Sequence, residues 1–409
     1  MRIVIITSLY RPYSRGGAEV VVDTIVDELK KQNKVIVITT SAWNGWRSLK
    51  AQSLNEDDVT VYRYYPFNIF PFSAIEDDKP FLLRCIWHIF DTFNFHSYFT
   101  IQDILEKENP DIVMTHNLKG IGYCIVSAIR RMRLFHIHTM HDVQLVAPSG
   151  VVMVGQDHTR SFRIGAAFFS FFHRAFFGSP AVVIFPSRFL KSFHDRWNFF
   201  PRSKKIVLPN PISAHALLKT STIDEMQTNR LSTYTAGKRT FLYLGLLKKQ
   251  KGILTLLSAF KLLQYSEANL LIGGVGQAET RVRRIASTEQ RVTFLGFVER
   301  KALRRVLEET HFVVVPSLLY ENSPMVVYES FAAGIPVIVS ESGGASELVH
   351  DGENGFIVPA GDQRALLHAL KRACNLDSKH YLKMSLSARA CIEDFSVQKY
   401  CQHLIEIKV

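Results

Sequence analysis

"RIVIITSLYRPYSRGGAEVVVDTIVDELKKQNKVIVITT", residues 2–40, decides the fold class. Its opening segment "RIVIIT" (2–7) is short, apolar and rich in β-branched side chains, the signature of a buried strand. The turn "SRGGAEV" follows, and then "EVVVDTIVDELKKQ" spaces its apolar residues at helical period. "KVIVITT" (34–40) is a second strand. Strand, helix and strand form one βαβ unit, which predicts a parallel sheet with helices on its faces. "PDIVMTHN" (110–117) and "FHIHTMHD" (135–142) read as later strands ending in polar residues. Open α/β sheets bind ligands at those ends.

The pattern restarts near residue 240. "RTFLYLGLL", "ANLLIGGVG", "RVTFLGFV", "HFVVVPS" and "IPVIVSES" are strands separated by helical patterns. Residues 212–238 are polar and mixed, as a link between two halves would be. Residues 378–409 have helical periodicity without a strand signal. The expected architecture is α/β, with two Rossmann-like doubly wound domains facing a cleft and a C-terminal helix packing back on the first. The expected boundaries are 1–205, 206–385 and 386–409.

Length and composition agree with this division. A chain of 409 residues exceeds what one hydrophobic core supports. With 47% hydrophobic and 21% charged residues it is an ordinary globular sequence, not a disordered one. Cys85, Cys124, Cys374, Cys391 and Cys401 are scattered without a C-x-x-C pair, which suits a reducing compartment and offers no disulfide framework or zinc site. No cleavable signal follows "MRIVIITSLY", and no run of about 18 apolar residues reads as a membrane span. The sequence reads as cytoplasmic.

The net charge of +12 is local, because residues 151–250 carry 15 Lys and Arg against 4 Asp and Glu. Within them, "TRSFRIGAAFFSFFHRAFFGSP" (159–180) mixes arginines with seven phenylalanines. Two readings stay open. One is a helix lying peripherally on the anionic inner face of the cytoplasmic membrane. The other is a core or interdomain helix. No nucleic-acid motif accompanies the charge, so a nucleic-acid partner is not expected.

"PSLLYENSPMVVYESFAAGIPVI" (316–338) carries the chemistry. Pro324 suits the first turn of a helix and Ser323 suits its cap, with Gly334 closing the helix. Glu321 then lies in the preceding loop and Glu329 on the helix. The helix start at Ser323, Pro324, Met325 and Val326, with its free N–H groups and the helix dipole, suits a phosphate; Pro324 contributes no N–H of its own.

Glu321, seven residues and Glu329 resemble the E-x7-E motif of family 4 retaining glycosyltransferases, whose fold is the two-domain GT-B type. "SFAAGIPVI" (330–338) and "SGGASELVHDGENGFIVPAGD" (342–362) are similar to the segments that follow it. "LYLGLLKKQKGI" (242–253) looks like the diphosphate-binding loop and "LLIGGVGQ" (270–277) like the glycine turn. "GGAE" (16–19), "MHDVQLVAPSG" (140–150) and "IFPSRFL" (184–190) resemble parts of the N-terminal half. The likeness is strong from 240 to 362 and looser before.

The resemblance implies transfer of a sugar from a UDP- or GDP-sugar to an acceptor hydroxyl with retention, in cell-surface polysaccharide synthesis on a glycan or lipid-linked acceptor. Glu329 would hold the donor ribose, Glu321 would orient the donor sugar, and Lys251 would neutralise the leaving diphosphate. Gly16, Gly17, Gly245 and Gly274 would let backbone approach the donor, and Arg188 would add charge from the N-terminal half. His141 would contact the sugar, with Asp142 orienting it or facing the acceptor; His116 and Asn117 are secondary candidates. No metal or other cofactor is implied, and "HIHTMHD" (136–142) does not read as a metal cluster, since His141 falls past the strand. Leu246 stands where the family usually has an arginine. Rival readings are a nucleotide-sugar epimerase or hydrolase and a non-catalytic sugar-nucleotide-binding subunit, which Leu246 favours. A nicotinamide dehydrogenase fits least, because "GGVG" (273–276) lacks the third glycine.

Overall fold

The computed structural model describes residues 1–13, 16–72, 79–212 and 220–408. Ser14 and Arg15 of the glycine turn and residues 213–219 of the expected link lie outside them. The chain forms two compact units. Met1–Val152, His158–Pro211 and the residues from Val397 make unit 1, while Met153–Asp157 and Ile212–Ser396 make unit 2.

Unit 1 holds an eight-stranded sheet of β1 (Arg2–Ile6), β2 (Lys34–Thr40), β3 (Gln52–Glu56), β4 (Val59–Tyr64), β5 (Ile112–Thr115), β6 (His136–Thr139), β7 (Val182–Phe185) and β8 (Lys204–Val207). Their order is β3-β4-β2-β1-β5-β6-β7-β8. Ile3 pairs with Val35 on one side and Ile112 on the other, and Ile3 to Ile6 are fully buried. A strand covered on both faces needs an unbroken apolar run, which is why 2–7 was legible.

One strand pair departs from the parallel reading. β3 runs antiparallel to β4, and the hairpin turn Asp57-Asp58 has positive φ at both residues. That turn matches the twist of a two-residue hairpin, and aspartate tolerates the left-handed region better than most residues. Because β3 is an exposed edge, it lacks the apolar alternation that would announce it.

Unit 2 is a six-stranded, fully parallel sheet of β9 (Arg239–Leu244), β10 (Ala268–Gly273), β11 (Val292–Gly296), β12 (Phe312–Val315), β13 (Val337–Glu341) and β14 (Gly355–Pro359). The order β11-β10-β9-β12-β13-β14 reverses direction between β9 and β12. In unit 1 the corresponding reversal falls between β1 and β5. Ligands of open α/β sheets bind outside the strand ends at such switch points.

The expected link is partly structured. Thr220–Thr235 is a helix of unit 2, burying Met226, Arg230 and Tyr234 at four-residue spacing. An arginine in that stripe hides its helical period from a reading based on apolar residues. The guanidinium serves the Ala333 and Leu307 carbonyls. Helix Ser378–Ala390 also belongs to unit 2, so the return to unit 1 starts at Val397. Helix Val397–Glu406 buries Val397, Tyr400, Cys401 and Leu404. It packs against helix Gly17–Leu29, and Gln398 Nε2 donates to Glu28 Oε2 at 3.2 Å.

Candidate active site

Two loops of unit 2 leave the strands that flank its switch point. The loop after β9 carries Gly245, Leu246 and Lys251; the loop after β12 carries Glu321. Lys251 Nζ lies 2.6 Å from Glu321 Oε1, with the carboxylate side chain only 13% exposed. Backbone contacts hold the two loops together. The Leu318 N–H donates to Gln250 O at 2.8 Å. Gly252 has φ +75, and a Cβ there would sit 1.7 Å from Pro316 O. Only glycine fits both that conformation and that approach. Glu321 is itself pinned at the backbone, donating to Ser342 O at 3.1 Å and accepting from Gly344 N at 2.7 Å. The 342–344 turn therefore fixes where the carboxylate stands.

Gly245 and Gly274 meet edge to edge. Gly274 has φ +141, and a Cβ on it would fall 1.8 Å from Gly245 O. Tyr243 Oη donates to Leu246 O at 2.8 Å, bracing that turn from below. Burial, and then the Glu321 charge, push the Tyr243 phenol well above its usual range. Leu246 itself is 48% exposed, and Lys249 is exposed nearby.

The helix after Glu321 runs from Met325 to Ala332, and its N-cap is Pro324 rather than Ser323. Ser323 Oγ instead lies 2.5 Å from Tyr328 Oη, so this serine reaches forward over the first turn. Gly334, at φ +66, closes the helix as expected, with Gly334 N bonded to Phe331 O and Ile335 N to Ser330 O. Val327, Tyr328 and Phe331 face the core, leaving Met325, Val326 and Glu329 half-buried on the other face.

In unit 1 the segment after β1 carries Gly16 at the end of its loop and Gly17 as the first residue of the following helix, and the loop after β5 carries His116 and Asn117. Helix Gly17–Leu29 starts after Gly16, whose N–H donates to Glu19 Oε2 at 2.7 Å. Gly16 is extended, a conformation any residue adopts, so backbone freedom is not its reason. A Cβ there would lie 3.0 Å from Glu19 Oε2, a tight contact that a small movement of that carboxylate would relieve. His116 Nδ1 and His141 Nε2 are 3.0 Å apart with stacked rings. Burial pushes His141 down to about 4 and, with the His141 charge, holds His116 well below its ordinary range, so both are neutral near pH 7. Asp142 Oδ1 accepts from Gln144 N at 2.7 Å, yet burial pushes Asp142 up to about 7. The same group feels the buried Lys119 and Glu19, neither of which the motif reading singled out. The capping spacing of Gly16 and Glu19 was the available signal.

His136 and His138 are occupied differently. Thr115 Oγ1 lies 2.7 Å from His136 Nε2 and 2.7 Å from His138 Nδ1, all buried. Among the described residues no group of three or more His, Cys, Asp or Glu side chains is placed to hold a metal. Arg188 opens the helix Arg188–Arg196, which Ser187 caps by accepting from Leu190 N.

Comparison with known proteins bears on the family and the fold. Residues 15–215 match the family described as Glycosyltransferase Family 4, and residues 229–390 match Glycosyl transferases group 1. The chain is 23% identical to an uncharacterized 42.6 kDa protein in the cps region of Klebsiella pneumoniae, over 85% of this chain and 87% of that one. It is 26% identical to a lipopolysaccharide 1,2-N-acetylglucosaminetransferase of Salmonella typhimurium, over 50% of this chain and 56% of that enzyme. Anabaena Alr3699/HepE, solved in complex with UDP, superposes with a TM-score of 0.68 at 18% identity over 99% of both chains. Sequence and fold together make this chain a member of the family 4 glycosyltransferases of the GT-B fold.

Proposed function

We propose that this glycosyltransferase moves a hexose from a nucleoside-diphosphate sugar to an acceptor hydroxyl, with retention at the anomeric carbon, in the assembly of a cell-surface glycan. The observation that carries the reading is the Lys251–Glu321 pair at 2.6 Å, beside the unit 2 switch point. A leaving diphosphate gains negative charge as the sugar C1–O bond breaks. An ammonium held in place by a carboxylate suits that charge without reorganisation. Glu329, half-buried on the neighbouring helix, is a carboxylate acceptor suited to ribose hydroxyls. On this reading the acceptor oxygen bonds C1 on the face the diphosphate leaves, and the acceptor proton passes to the leaving phosphate. His141 and Asp142 orient the sugar and acceptor.

UDP in complexes of the HepE structure supports a nucleotide donor by likeness of fold. Lys251 takes the cation's role, so activity is expected to survive a chelator. The exposed Leu246 side chain, where a second cation is usual, favours a competing reading in which the protein binds donor without transfer. Radiolabelled UDP- and GDP-sugars with a membrane lipid extract separate these. Label in lipid supports transfer, free sugar means hydrolysis, a converted donor means epimerisation, and binding without turnover means a carrier. Proton NMR of the new linkage reads the anomeric outcome. If Lys251→Ala and Glu321→Ala both transfer normally, the site assignment fails.

A further inference from the structure

Two helices of unit 1 expose a row of large apolar side chains to solvent on the side away from the fold. Helix Arg160–Phe177 buries Ala166, Ser170, His173 and Phe177, yet exposes Ile164, Phe168 and Phe171 by 63%, 73% and 60%. Those three positions follow i, i+4, i+7 spacing and share one stripe. Helix Phe81–Thr92 also exposes apolar side chains, although it buries Trp87 completely. Asp91 and Thr92 are buried, with Asp91 accepting from Gly120 N at 2.9 Å, while Leu82, Ile89 and Phe90 are exposed. Phe93 packs on Phe176 at 5.1 Å and His88 on Phe169 at 6.3 Å, so the helices are neighbours. Isolated exposed apolar residues need no explanation, whereas a continuous two-helix stripe does.

The stripe is bordered by positive charge. Arg84, Arg160 and Arg163 are exposed on these helices. At the far end of helix Arg160–Phe177 a depression of about 660 Å³ is lined by Arg130, Arg174 and Arg202 together with Phe171, and by no acidic side chain. Arg174 donates to Trp197 O at 2.9 Å, which fixes its guanidinium at the rim. Ser179 and Arg202 precede β7 and β8, whereas His141 and Asp142 follow β6. In a parallel sheet the depression and the His141–Asp142 site are therefore at opposite ends.

We infer that helices Phe81–Thr92 and Arg160–Phe177 are a docking surface for an anionic lipid bilayer, the apolar stripe entering the interface and the three-arginine depression receiving a phospholipid phosphate. Apolar burial with arginines at the headgroup level is how an interfacial helix binds. Arginine suits the phosphate because its fork pairs two oxygens at once. No helix among the described residues is long and apolar enough to cross a membrane, so the contact lies on the surface.

The test is flotation of the full chain with phosphatidylcholine vesicles, with and without phosphatidylglycerol. Partitioning is expected only with phosphatidylglycerol and is expected to fall with salt. Phe168→Ser with Phe171→Ser should lower it on the order of tenfold, and Arg163→Gln and Arg202→Gln about fivefold each. Ile89→Ser with Phe90→Ser is a second apolar pair, read alongside circular dichroism so that misfolding is seen. Three results overturn the inference. Partitioning could be equal on neutral vesicles. Inorganic phosphate could saturate the depression at low concentration and leave vesicle binding unchanged. The wild type could sediment as a dimer that the phenylalanine variant dissociates, making a second copy the occupant.

Discussion

Lys251 and Glu321 are 70 residues apart in sequence, and their side chains meet at 2.6 Å. The pair is half solvated, with the lysine side chain 31% exposed, so its direct stabilisation of the fold is small. Its consequence is orientation. The carboxylate holds the ammonium at the ends of adjacent strands β9 and β12.

Lys251→Ala should therefore lower kcat by on the order of 10²–10³, the usual loss when one charge-stabilising group is removed. Glu321→Gln should cost less, because the cation stays. The double variant should lose less than the product of the two single losses, since each depends on the other. Steady-state rates for all four proteins, with calorimetric binding of UDP, read this out. A fully multiplicative double variant would count against the pair acting as a unit.

Gly252→Ala tests the loop geometry. Its Cβ would overlap Pro316 O, so the variant should lose about 3 kcal/mol of unit 2 stability along with donor binding. Gly237→Ala is the control, with φ +95 but nothing within 4 Å of the added Cβ. Strain alone should cost it about 1–2 kcal/mol. Urea unfolding of the two variants compares them; equal losses would show that contact with Pro316 is unimportant.

Acid should weaken unit 1 through its buried imidazoles. Burial holds His88, His141, His173 and His194 down at about 4 and His136 at about 3, against an ordinary 6.5. Between about 4 and 6.5 the unfolded chain carries protons on these groups that the fold does not. Their contribution is complete above 6.5 and lost as pH falls toward 4. Asp91 works in the opposite sense, because burial pushes it up to about 8 from 3.8. The folded carboxyl keeps a proton that the unfolded chain has released, so its contribution falls as pH rises from about 4 to 8. Asp91→Asn should then raise the melting temperature at pH 9 and change it little at pH 4. A shift of the same size at both pH values would refute that assignment.

Arg230 is 1% exposed and donates to main-chain carbonyls of Ala333 and Leu307. Arg230→Ala should destabilise unit 2 by about 3 kcal/mol, combining a cavity with unpaired carbonyls. Arg230→Met keeps the packed stem and should lose roughly half as much. Chemical denaturation distinguishes them.

How much of this was legible depends on the residue. β1 and β2 could be read because strands buried on both faces must be continuously apolar. The place of Glu321 in a loop and of Glu329 on a helix could be read because Pro324 and Gly334 mark the two ends of that helix. Edge strand β3, by contrast, lacks a buried face and therefore a hydrophobic period. Helix Thr220–Thr235 went unread because its buried stripe contains an arginine, whose pairing with carbonyls is invisible until the fold supplies them. Ser323 looked like a cap, since residue type and position suited one. Its proximity to the Tyr328 hydroxyl depends on where that ring packs.

By itself the sequence determined what local periodicity and composition control: two doubly wound, mainly parallel sheets, the glycine turns, the helix closed by Gly334 and the basic aromatic segment 159–180. Tertiary structure decided what depends on distant groups meeting. It set Lys251 on Glu321, stacked His116 on His141, raised Asp142 by burial against the opposing pull of Lys119, and turned Phe168 outward while His173 went in. Hydrophobic period is a property of neighbours along the chain. Ion pairs, pKa shifts and the outward face of a helix are properties of neighbours in space.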